Sequence, residues 1–266
     1  MNRIMKEVLL DGDMLLKNSI MDVVIPHNKG SYWKCNELRY CLRSIEKNFT
    51  DLDNIYIIGY KPWWVKNVKH IKVGDYYPDN KGACIINKLI STCDRKVSDN
   101  FLFVSDDQIF LKKISSKHIN TYYLYNLNTS NLRIGNKFWM KCLRNTRDTL
   151  RRDFLPRYNY APYTFLPCYN YEPHTPVKIN KSLFKTIMSL YDWKNVLYPT
   201  LSLYFNSYIT EHYKLPDNYR VFYDKEGADL SLIEGKTFLG YSDLGLSWQL
   251  QQKLQELFPS KCKYER

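Results

Sequence analysis

The sequence predicts an α/β domain whose sheet is mostly parallel and carries helices on both faces. Two observations lead there. Short apolar runs, MDVVI at 21–25, NIYIIG at 54–59 and FLFV at 101–104, alternate with segments of helical period at 36–48 and 82–94. Such alternation marks parallel strands joined through crossover helices. The runs are also apolar almost throughout rather than at every second residue, as strands buried on both faces must be.

Taken in order, MDVVI ends at Pro26 and His27, which predicts a strand followed by a loop. NELRYCLRSIEKN (36–48) sets Leu38, Cys41, Leu42 and Ile45 on one helical face, with Asn36 as the expected N-cap. NIYIIG is a second strand and the alternating VKHIKV (68–73) a third. GACIINKLISTCD (82–94) is a helix with Ile85, Ile86 and Leu89 on its apolar side. FLFV then stops at Ser105, Asp106, Asp107 and Gln108 before Ile109, Phe110 and Leu111 resume. Beyond residue 115 the pattern loosens. The stretch 151–176 is dense in Tyr, Arg and Pro, and a long loop in a compact domain is usually functional. Helices are expected at 181–192, around 200–213, and at 247–258 with Leu250, Leu254 and Leu257 on one face.

Composition narrows the classes. With 266 residues, 44% of them hydrophobic, the chain can bury a sizeable core. No apolar stretch is long enough to span a membrane. Glu7, Asp11, Asp13 and Lys17 interrupt the N-terminus, which excludes a signal peptide and leads us to expect a cytoplasmic protein. The seven cysteines form no C-x-x-C pair, so they read as reduced and structural. The formal charge of +12 favours an anionic partner, although a Lys-, Asn-, Ile- and Tyr-rich composition also follows from AT-rich coding.

In open α/β sheets, ligands bind beyond the carboxyl ends of the strands. Pro26–His27, Gly59–Tyr60 and Ser105–Asp107 all follow strands directly. Two adjacent carboxylates at the edge of a core cost free energy unless a cation compensates them. Magnesium or manganese takes one or two carboxylates plus substrate phosphates. Asp107 is therefore the first candidate for a metal ligand, and Asp106 for contact with ribose or donor sugar. The competing reading is that one Asp caps a turn and the other is solvated.

This arrangement resembles nucleotide-sugar glycosyltransferases of the GT-A fold. NELRYCLRSIEKN, IYIIGYKPWWV and FLFVSDDQIFL, in that order over about residues 20–115, resemble the core of Stealth-type capsule sugar transferases. YEPHTPVKINKSLF (171–184) resembles a later His-Pro segment of the same group. Two departures stand out: VVIPHNKGSYW replaces the usual continuation of the opening strand, and Ser105 stands where a D-x-D frame has an Asp.

The resemblance implies a single GT-A-like domain over 1–266. Residues 20–115 would form the nucleotide-sugar core, and 116–266 the acceptor-side and helical elaboration. It implies metal-dependent (Mn2+ or Mg2+) transfer of a sugar from a nucleotide-sugar donor, for example a UDP-sugar. His174 would complete the metal shell, while Pro26, His27, Arg39 and Lys88, with Asp106, would face the donor; Arg43 and Lys81 are weaker cationic candidates. For a general base on the acceptor hydroxyl the candidates are Asp243, Glu172 and Asp224, with Asp229 also in view. The acceptor is either hydroxymethylated phage DNA, tracked by Arg144, Arg147, Arg151, Arg152 and Arg157, or a glycan. The alternatives are a Stealth-type sugar-1-phosphate transferase and a non-catalytic basic nucleic-acid-binding protein.

Overall fold

The computed structural model describes residues 20–31, 33–130, 132, 137–154, 168–209, 211–227 and 229–266. The N-terminal stretch read against a signal peptide lies outside the described residues, as does Arg157 with its Tyr- and Pro-rich surroundings.

Five strands make the main sheet: β1 (Met21–His27), β2 (Leu52–Gly59), β3 (Lys69–Ile71), β4 (Asn100–Phe103) and β6 (Val177–Asn180), in the order β3-β2-β1-β4-β6. All neighbours are parallel except β4 and β6. A second sheet has the order β5-β8-β7, from β5 (Gln108–Phe110), β7 (Arg220–Tyr223) and β8 (Phe238–Tyr241). The helices are α1 (Asn36–Asn48), α2 (Lys81–Cys93), α3 (Lys137–Phe154), α4 (Lys181–Met188), α5 (Thr200–Asn206) and α6 (Trp248–Leu257).

Side chains alternate across the pleat, so each strand supplies two cores. Val23, Ile25, Ile55, Ile57 and Leu102 face α1, α6 and the second sheet. Val24, Tyr56, Ile58, Phe101 and Phe103 face α2, α4 and α5. Gly82 allows α2 to approach closely, because a Cβ there would lie 2.1 Å from the Tyr198 carbonyl. Among the described residues, no helix is long and apolar enough to cross a membrane.

Several expectations change. β1 runs on through Pro26 and His27 instead of ending at Ile25. Proline is tolerated in this central strand because β4 pairs with β1 only as far as Val24↔Phe103. Asn36 is the first helical residue and not the cap; Cys35 holds the cap position in a left-handed conformation without a side-chain bond. Ser31 does the local work, its Oγ accepting from the Trp33 and Cys35 N–H groups at 3.1 and 2.9 Å. β3 is shorter than the alternating run suggested, and the helices after residue 180 end early, at Met188 and Asn206. The apolar run after the acidic pair is a strand of the other sheet.

Candidate active site

The strand order reverses at β1: β2 lies on one side and β4 on the other. A crevice opens at such a switch point, beyond the carboxyl ends of the flanking strands. His27 ends β1, and Asp106 and Asp107 lie in the turn that carries the chain from β4 into the second sheet. Gln108 holds that turn closed. Its backbone N–H donates to the Ser105 carbonyl at 3.1 Å, and its buried Oε1 accepts from the Ser105 N–H at 3.2 Å.

Asp106 and Asp107 keep 33% and 26% of their side-chain surface, enough to meet a ligand. Burial raises the Asp106 pKa, with His27 opposing and Glu37 adding to the rise. Asp107 goes well above the usual carboxylate range, through burial first and the Asp106 charge second. Asp243 also contributes repulsion at both. Four carboxylates thus share one field with no lysine or arginine among the causes of either shift.

His27 Nε2 stands 3.5 Å from Asp106, while its Nδ1 is 2.8 Å from the Tyr60 carbonyl and so carries the proton that bond requires. His174 Nδ1 stands 3.9 Å from Asp107 Oδ2. The His174 backbone is left-handed (φ 50°), its carbonyl lies over Gly240 of β8, and its ring stacks on Phe222 of β7 at 4.4 Å. Burial in this recess, then the Arg220 charge, lowers its pKa to about 4. The imidazole is therefore neutral at pH 7, the form that offers a lone pair to a metal.

Buried polar atoms without partners cluster here: His27 Nε2, Asp107 Oδ1, the Tyr241 hydroxyl and the Thr175 hydroxyl beside His174. Folded proteins rarely leave such groups unsatisfied, and a ligand, ion or ordered water is among the usual reasons. Among the described residues, no cluster of three or more His, Cys, Asp or Glu is placed to hold a metal alone. The donors present, one hard carboxylate oxygen and one neutral imidazole, do fit a Mg2+ or Mn2+ that completes its shell with substrate phosphates.

The other candidates are distributed unevenly. Pro26 lies within β1, pairing Ile58, immediately before His27. Asp243 is the base candidate that lies near the acidic pair, in a recess of about 420 Å3 with Trp33 and Gln251. Glu172 is a correction: its Oε1 accepts from the Leu201 and Ser202 N–H groups at 2.8 and 2.9 Å, capping α5 in place of Pro199. Asp224 is exposed just beyond β7, its resolved influence being on Arg220, and Asp229 caps the 3-10 turn Leu230–Ile233. Arg39 is a second correction, for its guanidinium is bonded to Glu265 and packed over Trp64. Arg43 joins the same carboxylate. Lys88 does reach the strand edge, but it is 1% exposed and its ammonium is taken by the His27 carbonyl, Asn28 Oδ1 and Asp75 Oδ1. It braces the loops rather than offering a free cation. Gly59 (φ 104°) permits this brace, since a Cβ would lie 2.5 Å from the His27 carbonyl.

Glu37, Tyr241 and Phe222 were not foreseen. Glu37 had a signal, being the acid of ELRY in the first turn of a helix that starts at the sheet's ligand edge. The Arg/Tyr-rich stretch also reads differently in three dimensions. Arg144 and Arg151 are bonded to Leu132 and Asn128, Arg147 to Asp148, and Tyr169 and Tyr171 pack with Tyr123 and His212.

No protein-family model matches the chain, and no curated protein matches it in sequence. Its fold is nonetheless shared. The galactosyltransferase LgtC, in complex with donor and acceptor sugar analogues, superposes with a TM-score of 0.50 at 10% identity, over 91% of this chain and 97% of that one. A structure of an LgtC active-site mutant gives 0.51 over the same shares. The chain therefore has the mixed α/β architecture of GT-A glycosyltransferases.

Proposed function

We propose that the protein is a glycosyltransferase that moves a sugar from a nucleotide-sugar donor to an acceptor hydroxyl. The observation that carries this reading is the carboxylate pair at the switch point, flanked by His27 and His174 with no lysine or arginine acting on it, in a fold shared with an enzyme seen in complex with donor and acceptor sugar analogues. Asp107 and His174 would hold a divalent cation, with Asp106 and His27 beside the donor. A metal in this position supplies Lewis-acid stabilisation of charge on the departing diphosphate. The chain's own share is to keep His174 neutral and to place Asp243 where it accepts the proton of an acceptor hydroxyl. Glu37 and Tyr241 lie buried beneath the acidic pair, close enough for Glu37 to raise both aspartates.

A glycan hydroxyl is the acceptor class we favour. The DNA reading depended on an Arg/Tyr surface whose described members are largely engaged within the protein. One observation favours a second reaction on the same site. The acidic motif is an adjacent Asp106–Asp107 pair after Ser105, which resembles Stealth-type enzymes and so suits transfer of a sugar 1-phosphate.

The test is a thermal-shift and turnover screen of nucleoside diphosphates and their sugars with Mn2+, on wild type and Asp107→Ala. Stabilisation of wild type by one donor, and turnover at least about 100-fold lower in the variant, is expected, since a metal's charge stabilisation is worth several kcal/mol and 1.36 kcal/mol is tenfold. Undiminished turnover in Asp107→Ala would sink the assignment. The nucleotide product separates the two reactions, because sugar transfer releases a nucleoside diphosphate and sugar-phosphate transfer a monophosphate.

A further inference from the structure

β7 presents Arg220 and Phe222 on its outer face, while Val221 and Tyr223 enter the core. The Arg220 guanidinium lies 5.1 Å over the Phe222 ring, and that ring stacks on His174, which faces Asp107. Arg220 also lines an open surface groove of about 390 Å3 with Leu215, Asp217, Leu232 and Lys236. Its Nε and Nη1 are buried with no hydrogen-bond acceptor. Two buried guanidinium nitrogens without acceptors are costly, and the fork to which they belong is suited to an oxyanion. The one anionic influence resolved on it comes from the exposed Asp224, and burial outweighs it. Lys236 is bonded to the backbone carbonyl of Asp217 at 2.6 Å, which holds a second cation at the mouth.

We infer that this groove binds an anionic oxygen group, a phosphate or carboxylate, of a substrate that extends from the acidic pair across His174 and Phe222. The inference deepens the transferase reading by assigning that substrate a second charged end. Two sources share this chemistry: the diphosphate of the donor, and an anionic substituent on the acceptor. The stack of Arg220, Phe222 and His174 places the cation beyond the histidine from Asp107, so the acceptor substituent is the source we favour.

The experiment measures Kd for inorganic phosphate, for a sugar phosphate and for UDP with Mn2+, on wild type, Arg220→Gln, Lys236→Glu and Asp107→Ala. Phosphate and sugar phosphate are expected to bind wild type and to weaken at least tenfold in Arg220→Gln and about threefold in Lys236→Glu. If UDP–Mn2+ binding is unchanged in Arg220→Gln, the anion belongs to the acceptor; if it weakens in parallel, the anion is the donor diphosphate. Absence of phosphate binding to wild type, or equal binding in folded Arg220→Gln, overturns the inference. Lys236 is on the rim, so its variant still reports should Arg220→Gln fail to fold, and unchanged phosphate affinity in it then counts against the site. Asp107→Ala separates the two claims: it is expected to lose UDP–Mn2+ binding and keep phosphate binding. A wild type that binds phosphate but no nucleotide would refute the transferase reading and leave the anion site standing.

Discussion

Glu265 and the Asp106–Asp107 pair are buried or half-buried carboxylates that meet opposite surroundings. Glu265, whose side chain is fully buried, receives Arg43, Arg39 and the Cys262 N–H. Burial alone would raise its pKa, but the Arg43 bond, the backbone bond and Arg39 outweigh it and hold the group below its ordinary value. The Asp pair has two histidines at 3.5 and 3.9 Å and further carboxylates around it, and both members are raised. The same residue chemistry meets two arginines in one place and only histidines and further carboxylates in the other. On the proposed reading, the first carboxylate holds the fold and the pair serves a ligand.

The contrast is broken most severely at Glu265. Glu265→Ala would strand two largely buried guanidinium groups and detach the C-terminal segment from α1. The expected loss is about 3–5 kcal/mol in urea unfolding, the usual cost of removing one partner of a buried pair. The sign of its pH dependence also follows. A lowered folded pKa adds stability above the ordinary value of 4.5, and that stability is lost as pH falls through the folded value. A loss below about 1 kcal/mol would show that this cluster is merely a surface pairing.

How far this was legible in the sequence depends on the span of each interaction. The main strands and α1 and α2 were readable because apolar runs and a 3.6-residue period are local signals. The carboxyl edge of the sheet was readable too, because Ser105–Asp107 directly follow β4, although Pro26 and His27 proved to be the last residues of β1 and not the loop after it. Arg39 was misplaced because its partner lies 226 positions away. The second sheet was missed for a similar reason. Its strands have three or four residues, and β5 pairs with β8 across a long interval, leaving no local pattern. Arg220 and Tyr241, which those strands carry, went unread with it. Glu172 was chemically plausible as a base, yet the helix start it caps forms 28 residues later.

Asp107→Asn probes the other side of the contrast. It removes one of two like charges without changing shape. The raised folded pKa means that ionisation costs stability as pH rises, so the neutral isostere should be the more stable protein at the higher pH, read as a raised Tm. Activity should fall at the same time, the opposition expected where function holds a strained charge in place. A Tm lowered by several degrees would mean that Asp107 is a structural carboxylate like Glu265.

Glu172 lies between these extremes and offers the smallest effect. It accepts two backbone N–H groups from the first turn of α5, which favours the charged form, yet burial prevails and raises its pKa to about 7. Below the ordinary value of 4.5 the bound proton's contribution to stability is fully present; it is lost as pH rises through about 7. Glu172→Gln retains an Oε1 acceptor for both N–H groups and cannot ionise. Its stability relative to wild type should therefore improve between pH 5 and pH 8. Glu172→Ala removes the cap and should cost about 1 kcal/mol, the usual cost of losing an N-cap acceptor. Urea unfolding of the three proteins at both pH values checks this, with transfer activity read alongside. Parallel pH profiles for wild type and Glu172→Gln would refute the titration, and a lost turnover in Glu172→Gln with stability intact would return this residue from the helix cap to the chemistry.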